Sequence, residues 1–229
     1  MFGSKRKLDN IYFGMNKKNK KTIDNNVEDI GIENIFKNTL MTSLEKKKED
    51  IKVQRENNHI YFHCEVDRES IFELTTLIRE AEEESLFTSF KLNIEEVPIY
   101  LHINSLGGCV YSAFSLIDII NSCRIPIYTI VEGATASAGT LISIFGKKRY
   151  IRPNAHMLIH QLSSECWGKM SEIEDEFKNL QDLMDKIKSM YKDNTKIPKK
   201  ELNEILKHDL WLDSDKCLKY GLVDELWLK

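Results

Sequence analysis

Two segments of the chain combine residue types that could support nucleophilic chemistry. The first contains the paired glycines Gly107 and Gly108, which let another group approach exposed backbone N–H groups closely. The second, residues 133–139, places Ser137 among small residues at the expected start of a helix, where unpaired N–H groups favour negative charge. A serine there could form an acyl intermediate whose oxyanion binds those N–H groups. On spacing alone, a serine-capped helix with small packing residues is the simpler interpretation.

A histidine and an aspartate further along the chain could complete such a site. His160 ends the predicted strand 155–160, and Asp209 precedes the apolar run 210–212. Each of them alone is typical of a structural residue. A serine, a histidine and an aspartate form a catalytic triad only where the fold brings them together, because a triad is defined by geometry and not by sequence position.

The hydrophobic pattern predicts an α/β fold that could bring these residues together. A strand, a turn of small residues and a helix occur twice in succession, which is typical of right-handed crossovers in a parallel sheet. The first unit is strand 98–104 with helix 109–123, and the second is strand 125–131 with helix 137–145. The other predicted elements are strands 59–66, 149–151, 155–160 and 222–226, helices 68–84, 170–192, 198–207 and 213–220, and a loop or insertion over 85–97.

Length and composition limit the class of protein. The chain has 229 residues, of which 41% are hydrophobic and 30% charged, as expected for one globular core. No stretch approaches 18 uninterrupted apolar residues, which excludes a conventional transmembrane helix, and the net charge of −3 gives no reason to expect nucleic-acid binding. Five cysteines without a CxxC pair argue against a disulfide framework or a structural zinc site and indicate a reducing compartment.

The N-terminal region differs from the rest of the chain. Residues 1–57 are predicted to be a basic and charged arm, partly disordered or helical, and residues 58–229 to be the folded domain. The first 22 residues contain seven basic side chains and one acidic one, so they could contact an acidic partner, a membrane surface or RNA. A solvated tail is the favoured interpretation. No apolar segment follows the basic run, so a secretory signal is not expected.

Four successive motifs resemble those of the ClpP family, the proteolytic subunits of the ATP-dependent Clp protease. The resemblance covers about residues 58–227, and the motifs occur in the family's order. They are NSLGG (104–108), GATASAG (133–139), Pro-Asn followed by MLIHQ (153–161) and YGLVD (220–224).

The resemblance implies a role for each candidate residue. Ser137 matches the family's nucleophile, His160 its general base and Asp209 the residue that orients the histidine. The family's oxyanion hole is made of backbone N–H groups, which correspond to those of Gly108 and Ala138. A metal ion or a bound cofactor is not implied.

The position of the aspartate depends on its distance from a later motif. Asp209 is assigned by counting back from Tyr220 and Gly221. Asp213 and Asp215 lie nearby, but they fall in the predicted helix 213–220 and are therefore rejected.

The resemblance also implies an architecture and partners. The family fold is a crotonase-like spiral of ββα units, usually assembled as two stacked heptameric rings, a tetradecamer, around a closed chamber. The long helix after the histidine forms the contact between rings. A polypeptide substrate and a Clp-type AAA+ unfoldase are the expected partners, without nucleic acid or membrane. The expected location is the cytoplasm, with an organelle matrix as the alternative.

Several positions depart from the family pattern. Leu106 and Leu162 replace prolines that are usual there, which loosens the backbone restraint. His102 stands where members often carry an aromatic residue in the patch that docks the ATPase, while Tyr100 keeps its aromatic ring. Docking to an unfoldase is therefore left open.

The leading hypothesis is a serine endopeptidase that cleaves unfolded polypeptides inside an oligomeric chamber. One alternative is a catalytically silent ClpP-like subunit of a mixed ring, which would have no need for an intact serine, histidine and aspartate. Another is an ATPase-independent maturation protease, for example of a viral head protein. A crotonase-type acyl-CoA enzyme is disfavoured because its site does not need these three residues.

Overall fold

A six-stranded sheet forms the centre of the structure, a computed structural model that describes residues 53–228. Its strands lie in the order β1-β2-β3-β4-β6-β8, and every neighbouring pair is parallel except the antiparallel pair β1-β2. The strands are β1 (Val53–Glu56), β2 (His59–Phe62), β3 (Ile99–Ile103), β4 (Ile127–Val131), β6 (Lys148–Ile151) and β8 (Glu225–Leu226). A separate parallel pair consists of β5 (Ala134–Ala136) and β7 (His156–Leu158).

The helices connect the strands in the manner that the alternating pattern predicts. They are α1 (Arg68–Leu92), α2 (Val110–Ser122), α3 (Ala138–Ser143), α4 (Met170–Asn194), α5 (Lys199–Ile205) and α6 (Ser214–Lys219). Asp67 and Ser70 form a reciprocal capping box that fixes the start of α1. Among the described residues, no helix is long and apolar enough to cross a lipid bilayer.

Two apolar cores hold the short helix α3 from both sides. The first core packs α1 and α2 against the sheet, and Ala138 and Ile142 of α3 belong to it. The second core surrounds the C-terminal half of α4 and includes α5 and α6, with Leu141 and Ile144 as members from the α3 region. All six residues of α3 are buried. Ser137, which immediately precedes α3, is therefore held by packing on both faces of that helix.

The structure differs from the sequence-based elements in several places, among them the short strand β5, which lies within the predicted turn of small residues. The predicted loop 85–97 is helical up to Leu92, because residues 85–92 contain no glycine or proline and the helix ends only where Asn93 adopts a left-handed conformation. The closing strand is limited to Glu225–Leu226, since the preceding residues 222–223 pack into the second core. The sheet begins at Val53, ahead of the predicted domain start at residue 58. Residues 1–52, which include the basic segment and most of the predicted arm, lie outside the described residues.

Candidate active site

Ser137 lies in a sharp turn between β5 and α3. Its backbone has φ 58° and ψ −127°, an unusual conformation for any residue other than glycine, and such strain occurs often at functional sites. Hydrogen bonds on both sides fix the turn: the N–H of Ser137 donates to the carbonyl oxygen of Leu158 (2.9 Å), and that of Ala136 donates to the carbonyl oxygen of Ser105 (2.8 Å). The turn places the serine hydroxyl at the start of α3.

The Ser137 hydroxyl is buried and makes no hydrogen bond. Only 2% of the residue is exposed, and among the described residues its Oγ is the one buried side-chain nitrogen or oxygen without a hydrogen-bond partner. Because burial of an unpaired hydroxyl costs free energy, such groups are few in folded proteins. The fold therefore keeps the Ser137 hydroxyl buried without a hydrogen bond, although this lowers the stability of the folded state.

His160 follows β7, the strand that pairs with β5 directly before the serine turn. In the parallel pair β5-β7, Ala136 lies opposite Leu158, and the Ser137 N–H bonds to the Leu158 carbonyl, so the chain reaches His160 two residues later. Because parallel strands end at the same edge, both residues leave the pair on the same side. The serine turn is thus hydrogen-bonded to the segment that carries His160, which lies 23 positions later in the sequence.

Asp209 reaches His160 because its segment runs antiparallel to the β7 strand. Met157 and Leu212 exchange backbone hydrogen bonds of 2.9 and 2.7 Å, and the N–H of Gln161 donates to the carbonyl oxygen of Leu206 (2.8 Å). Between these two sets of backbone hydrogen bonds, Oδ1 of Asp209 lies 3.4 Å from Nδ1 of His160.

The two rejected aspartates have other roles. Asp213 accepts the backbone N–H of Lys216 as the N-cap of α6, and Asp215 lies in the first turn of that helix.

The surroundings of His160 favour its neutral form. Burial is the main influence and lowers the pKa of the imidazole below its ordinary value of 6.5, while the Asp209 carboxylate acts in the opposite direction and raises it. Asp209 is 77% exposed, so water screens its charge and burial prevails. The imidazole is therefore neutral at pH 7 and can accept a proton. Among the described residues, no group of three or more His, Cys, Asp or Glu side chains could hold a metal ion.

The loop at Gly107 and Gly108 packs against the serine turn. Both glycines have positive φ, 95° and 144°, and a Cβ on Gly107 would lie 2.6 Å from Cβ of Ser137. The carbonyl of Gly107 accepts the N–H of Val66 (2.8 Å). As the first residue of α3, Ala138 has an N–H that no helical carbonyl can accept. The glycine loop therefore lies in direct contact with the serine turn and with the start of α3.

Ser105 is a further residue of this site that the sequence interpretation did not identify. It is buried, its hydroxyl accepts the N–H of Gly107 (3.2 Å), and its carbonyl accepts the N–H of Ala136. It therefore connects the glycine loop with the serine turn. Its place directly before Leu106 and the glycine pair was the only signal in the sequence.

The fold and site define an α/β protein with a mostly parallel sheet and a serine on a strained strand-to-helix turn. The family model "Clp protease" matches residues 54–229, and the chain belongs to that family. The prediction of a divergent ClpP-like protein with this family's α/β fold is thereby confirmed, as is the predicted class of function, a Clp-type protease subunit.

Curated relatives share about a third of the aligned residues with this chain. The ATP-dependent Clp protease proteolytic subunit 2 of Treponema denticola is 34% identical over 131 residues, which are 56% of this chain and 66% of that protein. The protein of the same name from Treponema pallidum is 32% identical over 143 residues, 62% of this chain and 71% of the relative. The ATP-dependent Clp protease proteolytic subunit of Streptococcus mutans is 35% identical over 132 residues, 56% of this chain and 67% of the relative. The aligned segments thus span about two thirds of each relative.

Proposed function

We propose that the chain is a serine endopeptidase that cleaves unfolded polypeptides, with Ser137 as nucleophile, His160 as general base and Asp209 as the group that orients the histidine. The observation that carries the proposal is the buried, unpaired hydroxyl of Ser137 on a strained turn. The N–H of that serine bonds to the Leu158 carbonyl, two residues before His160, which in turn pairs with Asp209. A structural serine in a tight helix cap would use its hydroxyl to accept a backbone N–H, and Ser137 makes no such cap.

The reaction follows from the chemistry of these groups. Neutral His160 takes the proton as Oγ of Ser137 attacks the peptide carbonyl carbon, and the resulting oxyanion binds the N–H groups of Gly108 and Ala138. The imidazolium then gives its proton to the leaving amine as the C–N bond breaks, and water hydrolyses the acyl ester by the same route. The hydroxyl makes no hydrogen bond in the free chain, so substrate binding or assembly must bring it into hydrogen-bonding contact with the ring.

Extended substrate fits backbone edges on both sides of the serine. The glycine loop is one edge, and residues 161–167 after His160, which form neither helix nor strand, are the other. The N–H groups of Gln161 and Leu162 already donate to Leu206 and Met184, so an added strand would pair with main-chain groups further along the segment. Main-chain pairing does not depend on the substrate's side chains. It therefore suits an enzyme that acts on unfolded polypeptides of many sequences.

A fluorophosphonate probe tests the proposal directly. The serine oxygen displaces fluoride from phosphorus, and we expect one adduct, located by mass spectrometry on the peptide that contains Ser137. Ser137→Ala should prevent labelling. Ser143→Ala is the matched control, because Ser143 is another buried serine of the same region whose hydroxyl donates to the Thr140 carbonyl (2.9 Å). An assembled wild-type protein that takes no label would favour the silent subunit instead.

We further propose that α4 mediates assembly into stacked heptameric rings. Its buried residues, Leu183, Ile187 and Tyr191, all lie in its C-terminal half, whereas Phe177 in the N-terminal half is 61% exposed. Apolar side chains on an unpacked helix surface are typical of an interface. The oligomeric state of the protein used for labelling should therefore be measured by sedimentation velocity. The same measurement with and without a Clp-type unfoldase distinguishes an ATPase-dependent protease from an ATPase-independent one.

The pH dependence of kcat/KM should report the titration of His160. Only the neutral imidazole accepts a proton, so kcat/KM should rise with pH through a midpoint below 6.5 and be level at neutrality. Asp209→Asn removes the carboxylate that raises the pKa of His160, so its acid limb should move to still lower pH while the plateau falls. Asp213→Asn is the matched control, because asparagine also caps helices, and its profile should coincide with that of the wild type. A midpoint that moves upward in Asp209→Asn would contradict the assignment of Asp209.

A further inference from the structure

A buried chain of hydroxyl groups ends on the carbonyl oxygen of Ser137. That oxygen accepts two hydrogen bonds from Thr140, one from its hydroxyl (2.6 Å) and one from its N–H (2.9 Å), and a longer one from the N–H of Leu141 (3.4 Å). The bond from the Thr140 hydroxyl is the shortest of the three. The same Thr140 hydroxyl lies 2.6 Å from the hydroxyl of Tyr191 on α4. Thr140 is fully buried and Tyr191 is 2% exposed, so water does not compete for these bonds.

The direction of this chain follows from counting protons. The Ser137 carbonyl can only accept, so the single hydroxyl proton of Thr140 is donated to it. The Tyr191 hydroxyl must therefore be the donor to Oγ1 of Thr140. Burial raises the pKa of Tyr191 above its ordinary value, so this hydroxyl is protonated at neutral pH. A donor that is itself the acceptor of another hydrogen bond is polarised and becomes a stronger donor.

The hydrogen bond from Thr140 to the Ser137 carbonyl also restrains the direction of the Ala138 N–H. The Ser137 carbonyl and the Ala138 N–H belong to one peptide group, which is planar and cannot rotate internally. Fixing the direction of the carbonyl therefore fixes the direction of the N–H on the opposite side of the same plane. Since Ser137 has a strained backbone conformation, a restraint is needed to keep this plane from relaxing.

We propose that Thr140 and Tyr191 are positioning residues that aim the Ala138 N–H at the oxyanion. This inference rests on the proposed peptidase function and deepens it. Thr140 restrains the peptide plane from within α3. Tyr191 extends the restraint to α4, the helix that we propose to mediate assembly, and so connects the oxyanion hole with that helix.

A purely structural role is the competing explanation. Threonine hydroxyls in helices commonly bond to carbonyls three or four residues earlier, and a buried tyrosine needs a hydrogen-bond partner. Thr129→Val distinguishes the two roles, because the hydroxyl of Thr129 is also buried and donates to a carbonyl of α3, that of Ser143 (2.7 Å). It removes a comparable bond to the same helix but leaves the Ser137–Ala138 peptide untouched.

The test compares kcat and KM for a fluorogenic peptide in the full-length protein and four variants. Misdirected catalytic groups can cost about 10²-fold in rate, so Thr140→Val should lower kcat by about 10- to 100-fold with KM nearly unchanged. Tyr191→Phe keeps Thr140 but removes its donor and should lower kcat by a smaller factor, about 3- to 10-fold. Thr140→Ser restores the hydroxyl and should bring kcat back to within about threefold of wild type. Thr129→Val should lose as much thermal stability as Thr140→Val and keep its kcat.

Each outcome decides between the two roles. Wild-type kcat in a folded Thr140→Val or Tyr191→Phe protein would overturn the inference, as would an equal loss of kcat in Thr129→Val. If Thr140→Val does not fold, Tyr191→Phe, which removes a single oxygen from the chain of hydroxyls, is compared with Thr129→Val instead. A wild-type protein that neither cleaves the peptide nor takes the fluorophosphonate overturns the proposed function itself, which is a different result from an active wild type with unaffected variants.

Discussion

Ser137→Ala and His160→Ala are each expected to lower kcat by a similar factor, on the order of 10⁶, and the double variant should lose no more than either single one. The nucleophile and the base act as one unit, because a serine without its base is a weak nucleophile and a base without its serine has nothing to activate. Residual turnover, about 10³- to 10⁴-fold above the uncatalysed rate, should come from substrate binding and the oxyanion hole.

The measurement is kcat for a fluorogenic peptide on protein whose assembly has been verified. His156→Ala is a matched control, because His156 lies on the same strand β7, is exposed, and has its Nδ1 3.2 Å from the carbonyl oxygen of Asn154. Losses that multiply in the double variant would show that the two residues act independently, which contradicts a shared mechanism.

Asp209→Ala should lower kcat by a smaller factor than Ser137→Ala or His160→Ala, since the Asp209 carboxylate is exposed and lies 3.4 Å from the imidazole.

The sequence was sufficient for the parts of the site that depend on local chemistry. The alternating strands and helices predicted the parallel sheet, and the small residues before Ser137 predicted a turn that leads into a helix at that serine. The short strand β5 within this turn was not predicted. Glycines at 107 and 108 predicted a loop that approaches another group closely, and this loop does contact the serine turn. These features can be predicted from the sequence because a backbone with positive φ, or a close approach between two segments, requires glycine or another small residue.

The rest of the site depends on tertiary packing and could not be predicted from the sequence. Thr140 and Tyr191 are 51 residues apart, and each is an ordinary helical residue until α4 packs against α3. The exposure of Asp209 and the isolation of the Ser137 hydroxyl are likewise properties of the assembled cores. The helical residues 85–92 were predicted as a loop because their polar and apolar side chains follow no regular pattern, although nothing in them interrupts a helix.

Gly107→Ala should be the most damaging change outside the proposed triad, with kcat lowered by about 10²- to 10³-fold, the range for loss of one oxyanion donor. The added Cβ would lie 2.6 Å from Cβ of Ser137 and 2.9 Å from the carbonyl oxygen of Ala136, closer than atoms tolerate, so the serine turn must shift. The backbone at φ 95° is also unfavourable for alanine, by an amount on the order of 1–2 kcal/mol for a left-handed residue.

Gly221→Ala is the control that separates two effects of Gly107→Ala, the unfavourable backbone conformation of alanine and the displacement of the serine turn. Gly221 also has a positive φ, 63°, but its added Cβ would meet the side chain of Lys196 and not the serine turn. Thermal unfolding should show that both variants lose stability, since both place alanine in a left-handed conformation. Only Gly107→Ala should lose kcat and fluorophosphonate labelling. If Gly221→Ala lost activity to the same degree, general destabilisation would explain both results, and the contact between Gly107 and Ser137 would have no specific part in catalysis.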